Sequence, residues 1–520
     1  MIIEMKIEIC LYSVLIRRFI HKMKSLSILI LILLTQTLFA QSVSEPHRPL
    51  FHFSPPSHWM NDPNGLVYHE GEYHLFYQHY PEAIVWGPMH WGHAVSTDLV
   101  HWKHLPIALY PDSLGLIFSG SAVIDKHNSA GFGKNAMIAI FTHHHMDMEK
   151  AGSNVFQYQS IAYSTDRGRS FKKYVGNPVI KNPGIRDFRD PKVRWDENRK
   201  QWVVVFAAYD KALFYTSANL KDWNKSGEFG IPGDKRLWEC PDLFPMKVNG
   251  TNEQKWILIT SIQRDAPNGG TATSYFVGDF DGKVFKGDTE KQSWLDYGKD
   301  NYAFVTWNNL ADGRTIGVGW MSNWQYANAV PTQSWRNAAT IPRELNLIRI
   351  NNEYRIIQKP VKELTQLRNN LKIIPQAIIK DRMVLDSRSV AKEIEFTVDL
   401  KKSGSHSFGI ELKNNIGEHV LIGYDAIKSQ FYIDRTQAGK KDFSKDYPVQ
   451  QYAPRISKNK NLKIRMLIDA SSLELFADDG LTVMTSVFFP NEDFTVAELF
   501  SKNGETKLIQ GKWWTLNTRN

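Results

Sequence analysis

Ser96-Thr97-Asp98-Leu99-Val100-His101-Trp102 is a short polar phrase that ends on an aromatic residue, and the chain repeats it. It returns as Ser164, Asp166, Gly168 and Phe171, and again as Ser217, Asn219, Leu220 and Trp223. Each copy reads as a polar turn between two strands, closed by an aromatic ring. The copies begin 68 and 53 residues apart, a spacing that suits a four-stranded unit repeated radially. Short β runs lie between them, such as Trp202 to Ala207 and Trp256 to Ile262. About 300 residues at this spacing predict a β-propeller of about five blades.

Tryptophan marks where that pattern ends. Fourteen of the sixteen lie between Trp59 and Trp335, and the others are Trp513 and Trp514. The shift places a propeller at 45–350, a linker with a short helix at 351–372 and a second domain at 373–518. Pro360 to Leu367 reads as the helix, with Leu364 and Leu367 on one face. Beyond it the apolar residues alternate: Ile394, Phe396, Val398 and Leu400 share one strand face, as do Leu462, Ile464, Met466 and Ile468. With Asp479-Gly480 as a hairpin turn, this is the pattern of an antiparallel β-sandwich. The fold class is therefore all-β, a five-bladed β-propeller followed by a C-terminal β-sandwich. The second domain carries no catalytic candidates, so its expected role is to cover propeller surface near Pro360 and the Trp513-Trp514 pair.

The 520 residues are too many for one compact core, and 42% hydrophobic with 22% charged residues is a globular composition. The formal charge is +9. Removing residues 1–40, with five basic and two acidic residues, leaves 58 basic against 52 acidic, or +6. Lysines scattered without a basic stripe exclude nucleic acid as a partner. Residues 1–40 read as a secretory signal region: Lys24, an apolar run from Ile28 to Leu34 too short to span a bilayer, then Thr35 to Ala40, with cleavage after Ala40. Met23 is the better start for such a segment. The mature protein is thus expected to be secreted or periplasmic, without membrane insertion. Only Cys10 and Cys240 are present, so the mature chain forms no internal disulfide.

Three acids stand in unusual settings: Asp62 in Trp59-Met60-Asn61-Asp62-Pro63-Asn64-Gly65, Asp190 in Phe188-Arg189-Asp190-Pro191, and Glu239 in Trp238-Glu239-Cys240-Pro241-Asp242. Proline just after an acid removes a ladder donor and biases the acid towards extended geometry. A single Asp-Pro is more often a turn. Three such settings, each at the start of a proposed blade and beside an aromatic residue or Arg, instead aim carboxylates into a central space. Glycoside hydrolysis needs such a set: one carboxylate to attack or to activate water, one to protonate the leaving oxygen, and aromatic walls for the sugar.

Those phrases, together with Phe76-Tyr77-Gln78, Trp91-Gly92-His93-Ala94, Phe118-Ser119-Gly120-Ser121, Pro342-Arg343-Glu344 and Leu473-Glu474-Leu475-Phe476, resemble glycoside hydrolase family 32, the β-fructofuranosidases, in that family's order and over residues 47–518. The resemblance implies a funnel on the propeller axis and cleavage of β-fructosyl bonds with retention. The reading adopted within it is exo-acting release of fructose from β-fructosides (levan, inulin, fructo-oligosaccharides, sucrose). The resemblance also implies Asp62 as nucleophile, Glu239 as acid/base and Asp190 as transition-state stabiliser, with Asn61, Gln78, Trp86, Phe118, Ser119, Arg189 and Trp320 around the sugar. Asn301 departs from the aromatic residue that the family carries after Asp300.

An endo-acting levanase or inulinase, or a fructosyltransferase, would share these acids and differ in pocket depth. A non-catalytic fructan-binding protein has no need of nucleophile and proton donor together. No metal or other cofactor is expected: His143-His144-His145 lacks zinc spacing, and His69-Glu70 with His74 is one residue too long for a zinc helix. Gly131-Phe132-Gly133 and Gly317-Val318-Gly319 read as turns.

Overall fold

The computed structural model describes residues 45–386 and 388–517. The signal region at 1–40 and the start at Met23 lie outside the described residues. Five sheets of four or five strands follow one another up to Pro360, and two sheets of seven and six strands follow from Arg368. The first five begin with the strands His58–His69, Leu116–Asp125, Phe188–Asp196, Trp238–Lys247 and Tyr302–Thr306. Each of these packs against the next and the fifth against the first, so they ring an axis. This is the propeller, and the two larger sheets form the sandwich.

The repeated phrase is the turn from the third to the fourth strand in the first three sheets. Ser96 Oγ donates to Asp98 Oδ1 at 3.0 Å and accepts the Asp98 N–H at 3.1 Å. Ser164 and Asp166, and Ser217 and Asn219, do the same. Each turn puts a non-glycine residue in the left-handed region, Leu99, Arg167 and Leu220 at φ 64°, 61° and 62°. The two leucines are fully buried, and that packing holds a conformation costly for a branched side chain.

The boundary differs from the sequence expectation. Asn351 and Asn352 both have positive φ, 51° and 62°, which is a two-residue hairpin turn of the type that matches strand twist. Glu353–Pro360 therefore returns along Arg343–Ile350 as the outer strand of the fifth sheet, and Arg368–Ile374 already pairs in the sandwich. Of the linker placed at 351–372, only the short 3-10 helix Lys362–Leu367 and its flanks lie outside the sheets, with Leu364 and Leu367 buried. Gly317-Val318-Gly319 is also no turn but part of the strand Thr315–Met321.

In the sandwich, Ile394, Phe396 and Val398 pair with Met466, Ile464 and Leu462, and all six are buried in one core. Trp513 belongs to that core, and Trp514 lies under the Arg368 guanidinium at 3.9 Å. Neither covers the propeller. That contact is made by Val361, Leu364 and Leu367 with Phe51, Leu467, Phe476 and Leu516, and by buried charge. Arg343, fully buried, donates to Asp296 at 2.9 Å and to Glu474 at 2.9 and 2.5 Å. His52 meets Asp469 at 2.7 Å and Glu474 at 3.0 Å. Burial disfavours its charge, but the hydrogen bonds to these two acids outweigh it and raise His52 to about 9, so the imidazolium persists at neutral pH. Arg435 reaches Asp300 at 2.5 Å.

Glu474 thus balances two buried cations from the propeller. Glu474→Ala is expected to cost about 3–5 kcal/mol, since it leaves Arg343 and His52 desolvated and short of a partner. Lys463→Ala, which breaks the exposed pair with Asp479, should cost less than about 1 kcal/mol. Chemical denaturation of the two variants compares them directly, and equal losses would contradict this account.

Candidate active site

Every inner strand slips its ladder register near the same end. The slips fall between Met60 and Pro63, Ile117 and Gly120, Arg189 and Lys192, Glu239 and Asp242, and Tyr302 and Val305. A bulge re-aims side chains and suspends pairing, and Pro63, Pro191 and Pro241 sit where a ladder donor is dispensable. Asp190, Cys240 and Ala303 take left-handed φ of 61°, 46° and 51° at these points. In the first strand, Gly65 at φ 59° lets the chain lie against Phe76 and Trp91; a Cβ there would stand 2.6 and 2.9 Å from their rings.

The bulges converge on one cavity of about 260 Å³. Asp62 accepts from Asn61 Nδ2 at 2.9 Å and from Ser119 Oγ at 2.7 Å. The Cys240 thiol lies 3.4 Å from Asp62 Oδ2, and the Cys240 N–H donates to Asp190 Oδ2 at 2.9 Å. The Asp190 N–H donates to Thr142 Oγ1 at 3.0 Å. Arg189 Nη2 donates to Glu239 Oε1 at 2.9 Å and Nη1 to Asp187 at 2.7 Å, while the Tyr302 hydroxyl donates to Glu239 Oε2. Below the acids the axis is filled. Lys192, from the third inner strand, pairs with Asp242 of the fourth at 3.0 Å and donates to the Thr306 carbonyl of the fifth.

Burial is the main cause that raises the Asp62 carboxyl above its ordinary range; the Asn61 and Ser119 hydrogen bonds oppose it and the Glu239 charge adds to it. Asp190 is pushed up to about 7, first by burial, with Arg189 pulling down and Glu239 and Asp62 pushing up. Burial lifts the Tyr302 phenol and the Cys240 thiol well above their usual values, so both stay protonated as donors. His144 is lowered to about 4, chiefly by burial, and is neutral at pH 7.

Asn61, Asp62, Gln78, Trp86, Phe118, Ser119, Arg189, Asp190 and Glu239 all line this cavity. Trp320 does not. It is fully buried on its strand, its ring 6.2 Å from Trp59 and 4.7 Å from Trp324, and Trp324 supplies the wall. Asp300 and Asn301 lie away from the cavity, Asp300 in the contact with the sandwich. Sequence reasoning missed His144, Glu149, Phe156, Gln157, Asp187 and Gln263 on the lining. His144 was visible only as part of a histidine run. Its ring stacks on Phe118 at 4.2 Å and bonds Glu149 and Gln157. His143 bonds Ser160, and His145 caps the short helix Met146–Lys150. A larger groove of about 590 Å³ runs over the seven-stranded sheet beside Pro360. It holds none of the three acids, and its Lys463, Arg465 and Lys512 are paired with Asp479 and Glu395.

Family models match nearly all of the described chain: "Glycosyl hydrolases family 32 N-terminal domain" over residues 52–360 and "Glycosyl hydrolases family 32 C terminal" over 357–515. A levanase from Bacillus subtilis is 45% identical over 481 residues, 89% of this chain and 69% of the levanase. An extracellular exo-inulinase from Aspergillus awamori is 37% identical over 525 residues, 94% of this chain and 97% of its own. The crystal structure of exo-inulinase from Aspergillus awamori superposes with a TM-score of 0.84 at 33% identity, covering 91% of this chain and 99% of that one.

A raised carboxyl gives a signed pH effect. Between about pH 4 and 7 the native state holds a proton on Asp190 that the unfolded chain has released, so stability falls as pH rises through that window. Asp190→Asn, which tolerates the left-handed backbone, should remove part of that loss, up to about 4 kcal/mol at pH 8 relative to pH 4. Denaturant titrations at both pH values test this; an unchanged pH dependence would refute it.

Proposed function

We propose that this chain, which belongs to glycoside hydrolase family 32, releases terminal fructose from β-fructosides by a retaining, exo-acting route. It is a glycoside hydrolase, and fructan or sucrose cleavage that frees fructose is the activity its family and its levanase and exo-inulinase relatives point to. The observation that carries the exo reading is the cavity. At about 260 Å³ it is smaller than the roughly 300–1,000 Å³ of most ligand pockets, and Lys192 with Asp242 fills the axis beneath it. Such a site admits the end of a chain rather than its middle.

In this reading Asp62 attacks the anomeric carbon of a terminal fructose, held ready by Asn61 and Ser119. Glu239 gives its proton to the leaving oxygen, and then takes one from the water that cleaves the fructosyl ester. Arg189 and Tyr302 orient Glu239 through separate oxygens. Asp190 binds fructose hydroxyls. Gln78 supports this, because its buried Nε2 has no partner within the protein and Gln78 lines the cavity; a sugar hydroxyl would satisfy it. The enzyme acts outside the cytoplasm, in keeping with the signal-like residues 1–40 and the extracellular Aspergillus awamori relative.

Chromatography of early products from levan and inulin should show fructose alone; a ladder of oligosaccharides would mean endo action. Two substitutions separate the acids. Asp62→Asn should lower turnover on every fructoside by about a thousandfold or more, because no neighbour replaces the covalent step. Glu239→Ala should harm sucrose cleavage far more than cleavage of a fructoside whose leaving group needs no proton. Turnover of the first within tenfold of the parent, or equal losses for the second, would refute these roles.

A further inference from the structure

Among the described residues before Pro360, the aromatic side chains most open to solvent are Trp86, Tyr110 and Tyr209, at 36, 55 and 42%. Trp86 lines the cavity. Tyr209 is outside that lining, on the turn between the strands Gln201–Ala208 and Lys211–Ser217. Its N–H donates to the Asp187 carbonyl at 2.8 Å, and its own carbonyl accepts the Trp238 N–H at 2.7 Å. The residue is thus pinned between the segment leading to Arg189 and the residue before Glu239. The phenol oxygen lies 3.5 Å from the Lys235 carbonyl, which also accepts from Arg264 at 2.9 Å, and the neighbour of Arg264, Gln263, lines the cavity.

Tyr209 has φ 59°. Asn or Gly would hold that conformation at less cost, and a bulky side chain there is an outlier. The leucines at the repeated turns recover such a cost by full burial, whereas Tyr209 remains 42% exposed. What it gains is position. In the reading above, Glu239 protonates the oxygen that joins the terminal fructose to the rest of the substrate, so the rest of the chain leaves past Glu239, whose neighbour Trp238 is bonded to Tyr209.

We propose that Tyr209 is a stacking platform for the sugar beyond the leaving unit, a subsite that fructo-oligosaccharides and fructans reach and that sucrose is too short to reach. It rests on the β-fructosidase reading above. An aromatic face against a sugar ring adds affinity on the scale of other ring contacts.

The test compares kcat/KM for sucrose and for a glucose-capped fructosyl tetrasaccharide in the parent, Tyr209→Asn and Tyr209→Phe. Asn suits the turn, so folding is kept, and matched thermal melts check this. The Asn variant should lose about fivefold on the tetrasaccharide, through KM, and nothing on sucrose; the Phe variant should keep the parent's preference. If the parent cleaves both sugars and the Asn variant changes neither, or both equally, the subsite is overturned alone. A parent inactive on both would overturn the β-fructosidase reading, and the subsite with it.

Discussion

Three carboxylates share one buried cavity, and their mutual repulsion is the constraint to which the rest of the site answers. Left alone they would take up protons. The single guanidinium of Arg189 lies between Asp187, Asp190 and Glu239. Asn61 and Ser119 donate to Asp62, and the neutral Tyr302 and Cys240 donate where a second cation would be too much. Asp190, with burial and two negative neighbours against one Arg, is pushed up to about 7. This arrangement requires side chains from all five inner strands at one level of the axis, and the five bulges bring them there.

The same balance recurs at the contact with the sandwich. There too a buried Arg is matched by acids, here two and from two domains: Asp296 from the propeller and Glu474 from the sandwich. Buried pairs of this kind add little net stability, yet losing one partner is strongly destabilising because the other is left uncompensated. The sandwich consequently bears on the propeller through charge matching as well as apolar cover, and nothing of it lines the cavity that holds the three acids.

What the sequence made legible was what local chemistry writes plainly. Asp-Pro and Glu-Cys-Pro fix bulged first strands, and Ser-x-Asp fixes the outer turns, so fold class and the three acids could be read from residues a few places apart. Tertiary direction was not legible. Trp320 and Trp324 differ by four residues and by nothing in type, and only the strand Thr315–Met321 decides that one is core and the other wall. The boundary near 350 was misplaced because the loss of tryptophan is compositional, while Asn351-Asn352 is a turn inside the last sheet. His52 is more than 400 residues from both Asp469 and Glu474, and although Glu474 stands in one of the family's phrases, nothing near His52 or Asp469 announces the contact.

The ring is closed by an unusual stitch: His58 and Trp59 pair in parallel with Trp335 and Arg336, while Leu50, Phe51 and His52 lend their N–H groups to Asp469. The earliest part of the described chain is thereby completed by some of the latest. During synthesis the first sheet must wait for nearly three hundred residues before its edge is covered, and the stretch ahead of it waits for over four hundred. Contacts so distant along the chain slow folding and lengthen the time that edges stay open to wrong partners. A chain built this way assembles late and as a whole.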